Sequence, residues 1–217
     1  ILISNHKTII MLNNKKFWNS FYKKNNINKN SNFAAFVKKH TSNNHDIIDI
    51  GCGTGRDSFY FAKYFKNVHA LDKSDVVIKL NKIKSKKDNL NINFLQKDIA
   101  SKKFILGKKF TNLYARFFLH SLNDKEEEIF FKNLKKISKK KFSLFLEFRT
   151  VKDKLMEKGK FISKNERFHG HYRRFIDIKN FKEVIKKNGF KITYFKQGKN
   201  YSIYKKQNPH LARFILK

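Results

Sequence analysis

Short apolar runs alternate with stretches in which apolar residues recur every three or four positions, and this alternation predicts strands and helices in turn. Asp46–Ile50 reads as a strand ending in glycines, Thr54–Phe65 as a helix, Asn67–Leu71 as a second strand and Asp75–Lys86 as a second helix. Ile92–Leu95 is a third strand and the longer run Phe110–Leu119 a fourth. Asp124–Ile137 reads as a helix with Asp124, Glu126, Glu127 and Glu128 at its start and Lys135 and Lys136 at its end, a distribution that suits the helix dipole. Phe142–Phe148 is a fifth strand, residues 149–176 are irregular, and Ile178–Asn188 is a helix closed by Gly189. Phe190–Phe195 and Tyr201–Lys205 read as the final strands. Ahead of all these, residues 15–40 form a helical lead-in, with Phe17, Trp18, Phe21 and Tyr22 and then Phe33, Phe36 and Val37 at near-helical spacing around the polar break Asn25–Asn32. Repeated β-α-β units imply an α/β fold in three layers, a parallel sheet between two layers of helices.

The chain has 217 residues, 40% hydrophobic and 15% aromatic, which is a folding composition with enough apolar mass for one sizeable core. With one Pro and no Gly/Ser linker or repeat, no boundary divides it, and a single domain over 1–217 is expected. Within it, residues 1–40 would be the lead-in and a lid, and 149–176 a covering loop. Residues 1–10 lack a periodic apolar face and precede Met11, a plausible start, so they are expected to be peripheral. The net charge of +33, from 50 Lys+Arg against 17 Asp+Glu, raises the question of nucleic acid. The arginines are only Arg56, Arg116, Arg149, Arg167, Arg173, Arg174 and Arg213. The excess is Lys, in company with abundant Asn, Ile and Phe, as AT-rich coding would give. A reader of bases uses Arg for its bidentate fork, so nucleic acid is the less favoured partner. The single cysteine, Cys52, leaves no internal disulfide and fits a reducing, cytoplasmic setting. No apolar run reaches the roughly 18 residues of a membrane helix, so membrane insertion is not expected.

The sharpest feature is Asp46-Ile-Ile-Asp49-Ile-Gly51-Cys52-Gly53-Thr-Gly55-Arg56, where a strand meets a helix. Glycines there let the backbone turn tightly and approach a ligand, and the helix start beyond offers free N–H groups. About 20 residues on, the second strand ends at Asp72, an acid placed for the hydroxyls of a ribose. The spacing is G-x-G-x-G and not the G-x-G-x-x-G of dinucleotide binders. This loop, with Asp49 two residues before Gly51, resembles motif I of class I S-adenosylmethionine-dependent methyltransferases; Asp72 matches their ribose-binding acid, and Gln96-Lys97-Asp98-Ile99 follows the third strand where an acid commonly nears the adenine amino group. The resemblance covers residues 45–150 at motif level. It implies a Rossmann-like three-layer sandwich with a mostly parallel seven-stranded sheet and an antiparallel last strand. It also implies S-adenosyl-L-methionine as cofactor, held by Asp49, Gly51, Cys52, Gly53, Gly55, Arg56, Asp72, Lys73, Asp98, Ile99 and Arg116. The fourth strand carries no acid, which argues against the amide-methylating N-P-P-Y type and the Mg²⁺-dependent catechol type.

Polar residues gather at later strand ends, the side on which open α/β sheets bind ligands. Arg116 and His120 would share one face of the fourth strand's end, and Glu147 and Arg149 close the fifth. Glu147 suits either a substrate contact or an ion pair with Arg116 or Arg149. His169 and His171 find no third ligand of fitting spacing, so no metal is expected. Tyr172-Arg173-Arg174 is either a solvated stretch or, given the scarcity of Arg, an anion grip. Trp18, Tyr22, Arg116, Glu147, Arg149, Tyr172 and Arg173 are the candidate acceptor contacts, with His120 and His171 as candidate bases because imidazole titrates near neutrality. Taken with the segments around Arg116–His120 and Glu147–Arg149, the chain resembles a bacterial subgroup associated with surface-polysaccharide or small-molecule pathways. The function implied is methylation, O-directed, of an anionic sugar, nucleotide-linked or phosphate-bearing compound. The alternatives are a nucleic-acid or ribosome-associated methyltransferase and a cofactor-binding protein without turnover.

Overall fold

The structure, a computed structural model, describes residues 17–20, 29–42, 44–204 and 207–217. The expectations for residues 1–10, Phe21 and Tyr22 lie outside the described residues. Residues 17–20 are helical, and helix α1 spans Asn32–Lys39, started by Ser31, whose side chain accepts the Ala34 N–H. There follow β1 (Asp46–Ile50), α2 (Arg56–Phe61), β2 (Asn67–Asp72), α3 (Asp75–Lys87), β3 (Ile92–Gln96) and β4 (Phe110–Arg116). Then come α4 (Asp124–Ile137), β5 (Ser138–Arg149), β6 (Lys160–Ser163), β7 (Glu166–His169), β8 (His171–Arg174), α5 (Ile178–Lys187), β9 (Ile192–Gly198) and β10 (Leu211–Leu216).

Seven strands form one sheet in the order β3-β2-β1-β4-β5-β10-β9. Strands β1 to β5 pair in parallel, and only β10 runs antiparallel to its neighbours β5 and β9. This is the expected Rossmann-like sandwich. Both faces are buried, and successive residues serve opposite faces. Ile48, Leu113, Leu144 and Leu146 pack on one side with Phe130, Phe131 and Leu134 of α4 and Phe181 of α5. Ile47, Tyr114, Phe145 and Ile215 pack on the other with Phe33 of α1, Phe61 of α2 and Val77 of α3. Helix α4 opens on a full capping box: Asn123 accepts the Glu126 N–H at 3.0 Å and Glu126 accepts the Asn123 N–H at 2.9 Å.

Three elements differ from expectation. Strand β4 stops at Arg116, because Phe117 takes a left-handed φ of 54° and Leu119–Ser121 coil into a 3₁₀ turn. Residues 149–176 are not simply irregular: β6, β7 and β8 form a small antiparallel sheet, with Gly170 at φ 73° turning β7 into β8. The last strand is Leu211–Leu216, and not Tyr201–Lys205, whose Ile203 and Tyr204 are exposed. All six residues of β10 are buried between two neighbours, whereas 201–204 cross the carboxyl end of the sheet.

Candidate active site

The turn after β1 is tied down by backbone. The N–H groups of Gly51 and Cys52 both donate to the Leu71 carbonyl, at 2.8 and 2.9 Å, and so join the ends of β1 and β2. At Gly51, φ is +71° and a Cβ would lie 2.5 Å from the Phe118 ring, so only glycine fits. Asp72 completes the turn: its Oδ2 accepts the Gly53 N–H at 3.0 Å and its Oδ1 accepts the Ser74 N–H at 2.9 Å. Each oxygen keeps acceptor capacity for a ligand hydroxyl. Burial raises the Asp72 carboxyl above its ordinary range, opposed by those two hydrogen bonds.

A cavity of about 330 Å³ lies beyond the carboxyl ends of β1 to β5. Asp49, Gly51, Cys52, Gly53, Arg56, Asp72, Lys73, Asp98, Ile99 and Arg116 line it; Gly55 does not, serving instead as the left-handed start of α2. Asp49 is 3% exposed and accepts the Ser58 hydroxyl at 2.6 Å. Burial, and secondarily the nearby Asp57, push its carboxyl up to about 8 against that hydrogen bond. Asp49, Asp72 and Asp98 lie at or just beyond the ends of β1, β2 and β3, with Asp57, Arg56, Lys73 and Lys97 beside them on the wall, and Arg116 and Arg149 close β4 and β5. The carboxylates fit S-adenosylmethionine, whose sulfonium and ammonium are cations and whose ribose hydroxyls suit Asp72. The absence of a side chain at Gly51 lets the Phe118 ring, itself on the cavity wall, lie against the glycine turn.

The predicted acceptor residues divide. Trp18, Arg116 and Arg149 line the cavity. Glu147 lies off its wall, 1% exposed, accepting Arg116 Nε at 2.9 Å and Arg213 Nε at 2.7 Å. Of the two roles open to it, the structure gives the ion pair. Arg116 also donates to Ser202 Oγ at 2.8 Å; burial works most strongly against its charge, but Glu147, Tyr114 and Asp57 together outweigh it and raise the guanidinium above its ordinary value. Tyr172 is buried on β8 and is not on the cavity wall, its hydroxyl donating to Glu166. Arg173 lies beside Arg149, and burial and that neighbour bring its guanidinium down to about 10.

His120 and Arg116 do not share a face, because the strand ends between them at Phe117. His120 sits 4% exposed in the 3₁₀ turn, 5.4 Å from the Phe117 ring. His171 is 5% exposed on β8, stacked on Phe17 at 4.3 Å and beside Trp18 at 4.8 Å. Neither histidine is on the cavity wall; each is one aromatic ring behind it. Burial, then Arg149 and Arg173, hold His120 well below the usual imidazole range, and burial with the same arginines brings His171 down to about 3. Among the described residues no group of three or more metal-ligating side chains is present.

Sequence reasoning missed several wall residues. Asp57 accepts hydrogen bonds from Ser31 and from Tyr114, fastening α1 and β4 to α2; its signal was its place in the first turn after the glycine loop. Phe117 and Phe118 looked like strand core. Ser202, Gln207 and Pro209, between β9 and β10, close the far wall, and only the chain's single Pro hinted at them.

Residues 47–141 match the family model described as a methyltransferase domain. No curated protein sequence matches the chain significantly. Among solved structures, an S-adenosylmethionine-dependent methyltransferase from Clostridium acetobutylicum is similar at TM-score 0.70 and 15% identity, over 86% of this chain and 90% of that one. A second, from Methanosarcina mazei, gives 0.71 at 18% identity over 83% and 95%. The glycopeptide N-methyltransferase MtfA, solved with S-adenosylmethionine, gives 0.65 at 14% identity over 86% and 92%. Residues 47–141 thus match a methyltransferase domain, and the chain has the fold of solved S-adenosylmethionine-dependent methyltransferases.

Proposed function

We propose that the protein moves a methyl group from S-adenosylmethionine to an oxygen of a small anionic acceptor, such as a sugar, nucleotide-linked or phosphate-bearing compound. The observation that carries this reading is the order of charge along the sheet: Asp49, Asp72 and Asp98 at the ends of β1 to β3, partly offset by Arg56, Lys73 and Lys97, and the guanidiniums of Arg116 and Arg149 at the ends of β4 and β5. A cationic cofactor and an anionic acceptor then meet head to head, the geometry an in-line displacement needs. When bound, the cofactor supplies an electrophilic methyl group. Asp72 would hold the ribose end and Asp49 the charged end. Trp18, Phe117 and Pro209 restrict water, and Arg149 with Arg173 orients the acceptor. His120 and His171 are the imidazoles nearest the acceptor, and either would act as base only with its screening ring, Phe117 or Trp18, turned aside. Both are uncharged at neutral pH and each lies one ring from the cavity.

A small acceptor is favoured over nucleic acid because three of the five described cations on the cavity wall, Arg56, Arg116 and Arg149, are arginines although Arg is scarce in the chain, whereas the Lys excess is a property of the whole composition. No helix among the described residues is long and apolar enough to cross a membrane. A cytoplasmic setting accords with the lone, buried Cys52. The test is transfer of labelled methyl into a cell extract followed by fractionation. Label in small molecules retained by an anion exchanger supports the reading. Label in RNA or ribosomal protein replaces it with the nucleic-acid alternative, and cofactor binding without transfer to any fraction points to a protein without turnover.

A further inference from the structure

The guanidiniums at the acceptor end outnumber the carboxylates that meet them. Arg116 and Arg213 share Glu147, and Arg149 holds Asp153 at 2.8 Å. Arg173 makes no ion pair within 4 Å among the described residues: Asp153, already paired with Arg149, acts on it from farther off, and it donates a hydrogen bond to the His169 carbonyl at 3.3 Å. Four positive charges therefore face two negative ones. Asp57 acts on Arg116 from the cofactor side, but its oxygens are engaged by Ser31, Tyr114 and, at 3.5 Å, Arg56. Arg149 is buried and Arg116 and Arg173 are half-buried, so part of this excess charge is withdrawn from water, and a counter-ion there would be stabilising.

The surroundings hold these cations together. Left-handed Phe117 turns its ring under Arg116, 4.1 Å from the guanidinium carbon, and Arg149 lies 5.7 Å from the same ring. Strain at a bulky residue is a feature of binding sites. Strand β8 packs against the Leu119–Ser121 turn and brings Arg173 and His171 to this point. The Nδ1 atoms of His120 and His171 are both buried without a hydrogen-bond partner among the described residues.

The geometry points to an oxyanion subsite at the junction of β8 with the Leu119–Ser121 turn, where Arg149 and Arg173 grip a phosphate or carboxylate group of the acceptor. Its role in orienting the acceptor rests on the proposed function; its capacity to bind an anion does not. A bound oxyanion also offsets the two arginine charges that oppose protonation of His120 and His171, so the docked acceptor makes either imidazole a better proton acceptor.

The test is titration of the full chain with inorganic phosphate, and separately with acetate, at constant ionic strength, followed by imidazole NMR and by melting temperature. General attraction of anions to a chain of charge +33 is common to wild type and variants, so the difference between them is the readout. We expect phosphate or acetate to raise the His171 titration midpoint and to bind roughly tenfold more weakly to Arg173→Gln, with S-adenosylmethionine affinity unchanged. Arg173→Gln alone should already raise the His171 midpoint, by removing a facing charge. Arg173→Lys keeps the charge and lacks the fork, and covers the case in which the glutamine variant does not fold; it too should bind the oxyanion more weakly. Preference for phosphate over acetate identifies a phosphate-bearing acceptor, and the reverse a carboxylate. Equal binding by wild type and both variants, or an unmoved His171, overturns the subsite. If the subsite binds phosphate while extracts yield no anionic methylated product, the proposed function falls and the subsite stands.

Discussion

Glu147 and Arg213 form a buried ion pair, Oε2 to Nε at 2.7 Å, across the antiparallel seam between β5 and β10. The other oxygen of Glu147 takes Arg116, so one carboxylate anchors the acceptor end of the cavity to the sheet. Glu147→Gln removes the charge and leaves two buried guanidiniums uncompensated. The expected cost is about 3–5 kcal/mol of stability, read by denaturant unfolding. A loss under about 1 kcal/mol would mean that water reaches the pair.

Gly51 carries a second prediction. An alanine there must hold a φ of +71° and displace the Phe118 ring, 2.5 Å from its Cβ. Gly51→Ala should destabilise the protein by roughly 1–2 kcal/mol and also weaken S-adenosylmethionine binding, since Phe118 lines the same cavity. Unchanged cofactor affinity in this variant would place the cofactor elsewhere.

The Asp49 carboxyl, raised to about 8, makes cofactor binding pH-dependent. In the ligand-free protein the folded value exceeds the ordinary 3.8, so ionising Asp49 costs stability. The penalty grows as pH rises above 3.8 and is complete above about 8. A cationic ligand lowers the folded value, so binding below pH 8 releases a proton and affinity rises with pH up to that point. Calorimetry at pH 7 in two buffers of different ionisation enthalpy should count a proton released by wild type and not by Asp49→Asn. Equal counts would show that Asp49 does not meet the cofactor's charge.

The histidines separate by mutation. If one of them accepts the acceptor's proton, its replacement by glutamine lowers kcat by about 10²–10⁴ with cofactor affinity intact. Replacing the other should cost far less. Two silent replacements would leave an acceptor that needs no base.

Strands β1 and β5 were readable because Ile47, Ile48 and Ile50, and Leu144, Phe145, Leu146 and Phe148, are apolar runs buried on both faces and interrupted only by Asp49 and Glu147. The glycine loop was readable because its chemistry is local. Strand β10 was passed over although Leu211–Leu216 is a plain apolar run, because Tyr201–Lys205 mimicked a strand's alternation just before it. The β6–β8 sheet gave no signal: segments such as Lys160–Ser163 and His171–Arg174 are polar, and their pairing depends on turns at Gly159 and Gly170. The relation between Arg116 and His120 was misread because a left-handed Phe117 is rare and nothing in the sequence announces it. The arginines Arg116 and Arg149 were thus legible as wall residues, and what was not legible was the closure around them by Phe117, Ser202, Gln207 and Pro209.

The account rests on the cavity holding S-adenosylmethionine through the acid at the tip of β2. Calorimetric titration of the protein and of Asp72→Ala with S-adenosylmethionine tests this most directly. One molecule should bind per chain, and Asp72→Ala should weaken binding by about 2–4 kcal/mol through loss of charge-assisted contacts to the ribose. No binding by the wild type, or equal affinity in the two proteins, would contradict it.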